Sequence, residues 1–232
     1  MVSTRGAGTA TSTIAPPAVN SKQRLQFSEK LVGKGLSTDA LLKKLKALHT
    51  ELSRMDQDEV ETRSLAAVRK ELIAPSIVLH KDKGVKAFAA ACLADILKLY
   101  APDAPYTQDE LKDIFQFFFR QLANGLKGPT APYFDQYFYL LDSLAKCKSV
   151  VLVCDLPNAD ELVDEVFRDF FTIVKHNHAK NIELAMVDIL CALIDESQSV
   201  PTDVLDTIMA QFKEKNAVSR SVTMLPPRAD LL

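Results

Sequence analysis

The stretch DKGVKAFAAACLADILKLYAPDAPY, residues 82–106, decides the fold. Placed on a wheel of about 3.6 residues per turn, Val85, Phe88, Cys92, Leu93, Ile96 and Leu97 fall, with Leu99 and Tyr100, on one half of a helical cylinder. The opposite half is mostly Ala87, Ala90, Ala91 and Ala94, side chains small enough for a second helix to approach closely. A helix covered on two sides belongs to a layered all-α array. It must stop at Ala101-Pro102, because proline has no amide hydrogen and disfavours helical dihedrals in the residue before it. The next helix opens at Thr107, with Glu110 three residues on, the pattern in which the two ends cap each other's amides. The connection from Ala101 to Tyr106 is therefore short and stiff.

The composition agrees with a helical protein. Hydrophobic residues make up 47% of 232, enough for a sizeable core, with seven glycines and no tryptophan. A net charge of −2 conceals an asymmetry: residues 1–50 carry 8 basic and 2 acidic groups, residues 151–200 carry 3 and 10. Nucleic acid is not the partner such a chain suggests. Cys92, Cys147, Cys154 and Cys191 form no CxxC pair and sit in apolar sequence, so they read as buried, reduced thiols. No apolar run is long enough to span a bilayer, so no membrane partner is expected.

Residues 1–24 are rich in Ser, Thr, Ala, Gly and Pro without hydrophobic period and read as a disordered tail. Arg5, Lys22 and Arg24 without an acid are also compatible with a mitochondrial presequence, but Pro16-Pro17 opposes the amphipathic helix that one requires. Helical repeats are expected over residues 25–215, and 216–232, with Pro226-Pro227, read as an irregular tail. The first helix starts at Ser37 or Thr38 with Leu41, Leu42, Leu45, Leu48, Leu52 and Met55 on one apolar face, while Lys43, Lys44 and Lys46 form a solvated face. A second is expected from Asp58 to Leu72, then a tight turn from His80 to Gly84 ahead of the organising helix. Later helices are expected near 107–124, 131–148, 158–176, 179–196 and 201–215, eight in all. The starts near Gly84, Ala131 and Ala179 recur every 47–48 residues, at the upper end of the HEAT and armadillo periods. The fold class read from the sequence is thus all-α, a HEAT-like helical-repeat solenoid fragment. Its last helix, with Val204, Leu205, Ile208, Met209 and Phe212, would offer an apolar face to a following helix.

Catalytic chemistry is not written in this chain. His176-Asn-His178 lies near a helix junction and its spacing points the rings apart; it reads as a solvated junction. The pairs Asp109/Asp113, Asp160/Asp164 and Glu161/Glu165 sit near helix starts, where carboxylates complement the helix dipole. There is no glycine-rich phosphate loop, nucleophile elbow or triad spacing, and no cofactor is expected. The aromatics of Phe117-Phe-Phe119 and Tyr133 to Tyr139 fall at helical spacing and read as core.

Three segments carry a resemblance. ACLADILKLYAPDAPYT (Ala91 to Thr107), LKDIFQFFFRQL (Leu111 to Leu122) and YFYLLDSLA (Tyr137 to Ala145) are similar to the N-terminal HEAT region of the precocious-dissociation-of-sisters family, regulators of sister-chromatid cohesion. The resemblance runs from about Leu31 to Lys215. It implies a nuclear, non-catalytic scaffold whose partners are the cohesin complex, its release factor and that factor's antagonists, engaged through short peptides, with association to chromatin indirect. It further implies a peptide-binding role for Ala101, Pro102, Asp103, Ala104, Pro105 and Tyr106. In that reading Pro102 and Pro105 stiffen the loop, Asp103 meets a basic peptide residue and Tyr106 gives an amphipathic contact. The family's kleisin-binding region is expected in later repeats, outside this chain, whose sequence after Lys215 departs from the family pattern. A HEAT adaptor in nuclear transport or trafficking is the alternative reading, though it has no reason to carry APDAPY.

Overall fold

The computed structural model describes residues 22–174, 178–197 and 199–213. Nine α-helices lie within them: α1 (Thr38–Leu52), α2 (Ala66–Leu72), α3 (Pro75–Val78), α4 (Lys83–Tyr100), α5 (Gln108–Gly125), α6 (Phe134–Cys147), α7 (Ala159–Ile173), α8 (Lys180–Glu196) and α9 (Thr202–Lys213). Two 3₁₀ turns, Thr62–Leu65 and Ser149–Asp155, complete the described helical structure. No helix among the described residues is long and apolar enough to cross a membrane.

The helices form two layers. In one, α1 packs on α4, α4 on α6 and α6 on α8; in the other, α5 packs on α7 and α7 on α9. Chain order alternates between the layers from α4 onward, which is the build of a helical solenoid. Helix α4 lies at the centre, against α1, α2, α3, α5 and α6, and from Gly84 to Leu97 its only half-buried residue is Lys86. The alanine half of the wheel is buried as fully as the large-residue half, as a helix enclosed by neighbours requires.

The caps read at Ser37 and Thr107 are present, and Asp82 caps α4 in the same way. Ser37 Oγ accepts from the Ala40 amide at 3.2 Å, and Asp82 Oδ1 from the Val85 amide at 2.9 Å. Thr107 Oγ1 accepts from the Glu110 amide at 3.3 Å while Glu110 Oε2 accepts from the Thr107 amide at 2.9 Å. Each bond satisfies an amide that the first helical turn leaves without an intrahelical partner.

Several features differ from the sequence reading. No helix begins at Asp58, because the backbone there is used elsewhere: the Gln23 amide donates to Glu59 O at 2.7 Å and the Glu61 amide to Gln23 O at 2.8 Å. Arg24 also pairs with Glu61 at 2.9 Å, adding to the contacts of this segment. Gly84 is not a turn residue but lies inside α4, where an added Cβ would sit 2.5 Å from the Tyr133 ring. The spacing of α4, α6 and α8 is less even than expected, with first residues at 83, 134 and 180. Tyr133, at φ 63°, starts α6 three residues later than read.

Apolar residues recurring every three or four positions along α5 and α7 are buried, including Phe115, Phe118, Phe167 and Phe170. On α9, Val204 turns inward and is fully buried, whereas Leu205 and Met209 remain about half exposed. Of the four thiols only Cys92 is fully buried; Cys147, Cys154 and Cys191 are half-buried.

Candidate functional site

The six residues from Ala101 to Tyr106 span the gap between α4 and α5 and start with a cis peptide at Ala101-Pro102. Four hydrogen bonds fasten this turn and the residue before it to the segment 57–69. Gln57 Nε2 donates to Ala101 O at 2.6 Å, and the Tyr100 hydroxyl to Thr62 O at 2.8 Å. The Arg69 guanidinium donates to Pro105 O, and the Tyr106 hydroxyl to Arg69 O at 3.3 Å. Arg69 thus holds the end of the turn through both its side chain and its carbonyl. Two prolines and four anchors leave little conformational freedom to lose when something binds.

The turn presents an uneven surface. Pro102 and Asp103 are exposed, while Ala101, Ala104, Pro105 and Tyr106 are half-buried. Asp103 takes part in no ion pair or hydrogen bond among the described residues. Its carboxylate is thus offered outward from a rigid tip. Tyr106 is placed differently from the sequence reading, which had it presented to a ligand: its ring packs on the core and its hydroxyl is already bonded. Burial, partly offset by the Arg69 charge, raises the Tyr106 pKa well above that of a free phenol. Its first role is to position the turn.

Sequence reasoning missed a buried polar knot on α4, six residues before this site. Asp95, fully buried in α4, accepts from the Tyr139 hydroxyl and lies 2.9 Å from His49 Nδ1, with Lys98 Nζ 3.8 Å away. His49 and Tyr139 meet edge to face at 4.7 Å. One side chain thereby ties α1, α4 and α6 together. The available signal was a lone carboxylate between Ala94 and Ile96 in an otherwise apolar run.

Other candidates resolve into structural roles. His178 is buried, not solvated, and its Nε2 lies 2.7 Å from Leu126 O, linking the start of α8 to the end of α5; His176 falls outside the described residues. Asp164 is buried too. It pairs with Arg168 and accepts from Thr207 Oγ1 at 2.8 Å, so it joins α7 to α9 as well as sitting near a helix start. Among the described residues, no group of three His, Cys, Asp or Glu side chains is placed to hold a metal ion.

Burial has a consequence for pH. Tyr100, Tyr106 and Tyr137 have raised pKa values chiefly through burial, as does Tyr139, where Asp95 adds to the effect. Burial likewise raises the thiols of Cys92, Cys154 and Cys191. In the unfolded chain thiols lose their protons near about pH 8.5 and phenols near about pH 10, while the folded chain retains them. Stability is therefore fully present below about pH 8.5 and falls as the pH rises past it, more steeply beyond about pH 10. Thermal melts across that range should show the midpoint dropping. A midpoint that is flat or rising to about pH 11 would contradict these shifts.

With the geometry established, comparison with known proteins gives the family. The model of the family described as "Sister chromatid cohesion protein PDS5 protein" matches residues 39–224. The chain belongs to the PDS5 family. It is 36% identical over 202 residues to the fission yeast (Schizosaccharomyces pombe) sister chromatid cohesion protein pds5, covering 86% of this chain and 17% of that protein. It is 37% identical over 176 residues to human PDS5 homolog A, covering 75% of this chain and 13% of the relative. A solved Pds5 structure, of a Pds5–Scc1 complex, superposes with a TM-score of 0.78 at 35% identity, over 90% of this chain and 30% of that one. The chain thus spans less than a fifth of the length of these curated relatives. The helical-repeat architecture agrees with this solved PDS5 relative.

Proposed function

We propose that this PDS5-family chain is a non-catalytic module that regulates sister chromatid cohesion by docking short basic peptides of cohesin-associated factors at the turn Ala101–Tyr106. The observation that carries this reading is a rigid, four-point-anchored turn with an exposed, uncompensated carboxylate at its tip. A peptide arginine or lysine meets Asp103, and an aromatic peptide side chain packs on Pro102 and the edge of Tyr106. Ordering costs fall on the peptide alone, because the turn is held in advance. Family membership and the solved complex of a relative with Scc1 support cohesin as the assembly concerned. The same support favours action in the nucleus, with chromatin reached through cohesin.

Titration of a basic, aromatic-containing peptide from the release factor tests the reading. Asp103→Ala should weaken binding about threefold to tenfold at low salt, with much of the loss in the association rate, and should leave the melting temperature unchanged. Identical affinity and identical salt dependence for the two proteins would remove Asp103 from the site.

A further inference from the structure

A groove of about 560 Å³ lies between α3, the beginning of α4 and one face of α5, starting one helical turn beyond Thr107. Its floor is apolar, from Ile73, Val78, Ile114 and Phe117. Leu79 stands on the rim at 73% exposure, the most exposed of the large hydrophobic side chains in the described residues. Charges are sorted along the groove by helix geometry. Glu110, Asp113, Phe117 and Arg120 lie at spacings of three or four residues and therefore share one face of α5. The acids come first and the base last, and Lys86 of α4 lines the same groove. Asp113 and Arg120 form no ion pair among the described residues, and neither does Lys86; Arg120 is exposed.

We propose that this groove is a second docking site, separate from the turn, for an extended peptide segment of a partner protein in which an aromatic or large aliphatic residue lies between a basic and an acidic residue three positions apart. The spacing follows from the two backbones. Asp113 and Arg120 are seven residues apart, a rise of about 10 Å on a helix. Three residues of extended peptide advance about 10 Å. A basic side chain set against Glu110 and Asp113 therefore puts its acidic partner opposite Arg120 and Lys86, with the apolar residue between them against Phe117 and Leu79. Charge order fixes the register and the exposed leucine covers the anchor.

The test uses the full chain, labelled with ¹⁵N, and two peptides, GSRAFEGS and GSRAFRGS. The first peptide should give saturable amide shifts centred on residues 110–121 and Leu79. Arg120→Glu should weaken it about tenfold and improve binding of the second peptide, while Leu79→Ser should weaken both. Both changed side chains are exposed, so the fold is retained and the amide spectrum reports it. Asp103→Ala should leave the saturable shifts at residues 110–121 and Leu79 unchanged, whatever it does to contacts at the turn, which separates the groove from the turn. The proposal is overturned by unsaturable shifts, by Arg120→Glu binding both peptides as the wild type does, or by shifts that centre on 101–106 and vanish in Asp103→Ala.

Discussion

Replacing Asp95 with alanine should lower stability by about 3 kcal/mol, because it strips the shared acceptor from two donors on different helices. The His49 ring and the Tyr139 hydroxyl both converge on this fully buried carboxyl group. Their rings also meet edge to face at 4.7 Å, a contact that holds both donors on the carboxyl group. The shorter side chain would also leave a small void in a helix enclosed by five neighbours. For a chain of this size the melting temperature should fall by about 6–10 °C. Asp95→Asn keeps the volume and one acceptor oxygen, so it should cost about 1 kcal/mol. Calorimetry on the three proteins would check the order; a loss under about 1 kcal/mol for Asp95→Ala would mean that the knot contributes little to holding α1, α4 and α6 together.

The second large effect is expected at Tyr106, where binding and folding are coupled. Tyr106→Ala should weaken the basic peptide about thirtyfold, near 2 kcal/mol, the scale of an aromatic lost from a small interface. It should also destabilise the protein by about 2 kcal/mol, because a half-buried ring packed on the core is removed. From the sequence alone, folding is expected to survive this change, because the buried stripe from Val85 to Tyr100 is untouched. The contacts of the hydroxyl and ring with Arg69 add a stability cost to that expectation without removing the fold. Tyr106→Phe separates the contributions: it keeps the packing, loses the bond to Arg69 O, and should cost about 1 kcal/mol of stability with a smaller loss of affinity. Unchanged peptide affinity for a folded Tyr106→Ala protein would return the turn to the status of a helix connector.

Residues 82–106 determine a good deal without their surroundings. The apolar wheel of α4, the proline stop and the cap at Thr107 are local in origin, so they were legible, and α4 and α5 end within a residue or two of where the sequence puts them. The turn from Ala101 to Tyr106 is legible in a different way, as a motif whose stiffness follows from Pro102 and Pro105 but whose proposed use comes from resemblance. What the sequence could not contain is the set of partners brought from far along the chain. Gln23 takes the backbone of 59–61 out of a helix that local propensity favours, through bonds across 36 to 38 residues. Arg69 is adjacent to nothing in the turn until α2 packs beside it, and only then does Tyr106 become an anchor pointing inward. Asp95 looks like a misplaced charge on the helical wheel; its acceptability depends on His49 and Tyr139, 46 and 44 residues away. Local rules fix where helices begin and end because capping and periodicity act within a few residues. Which polar groups are satisfied, and which are left outward as Asp103 is, depends on burial and long-range pairing, and those exist only once the layers have packed.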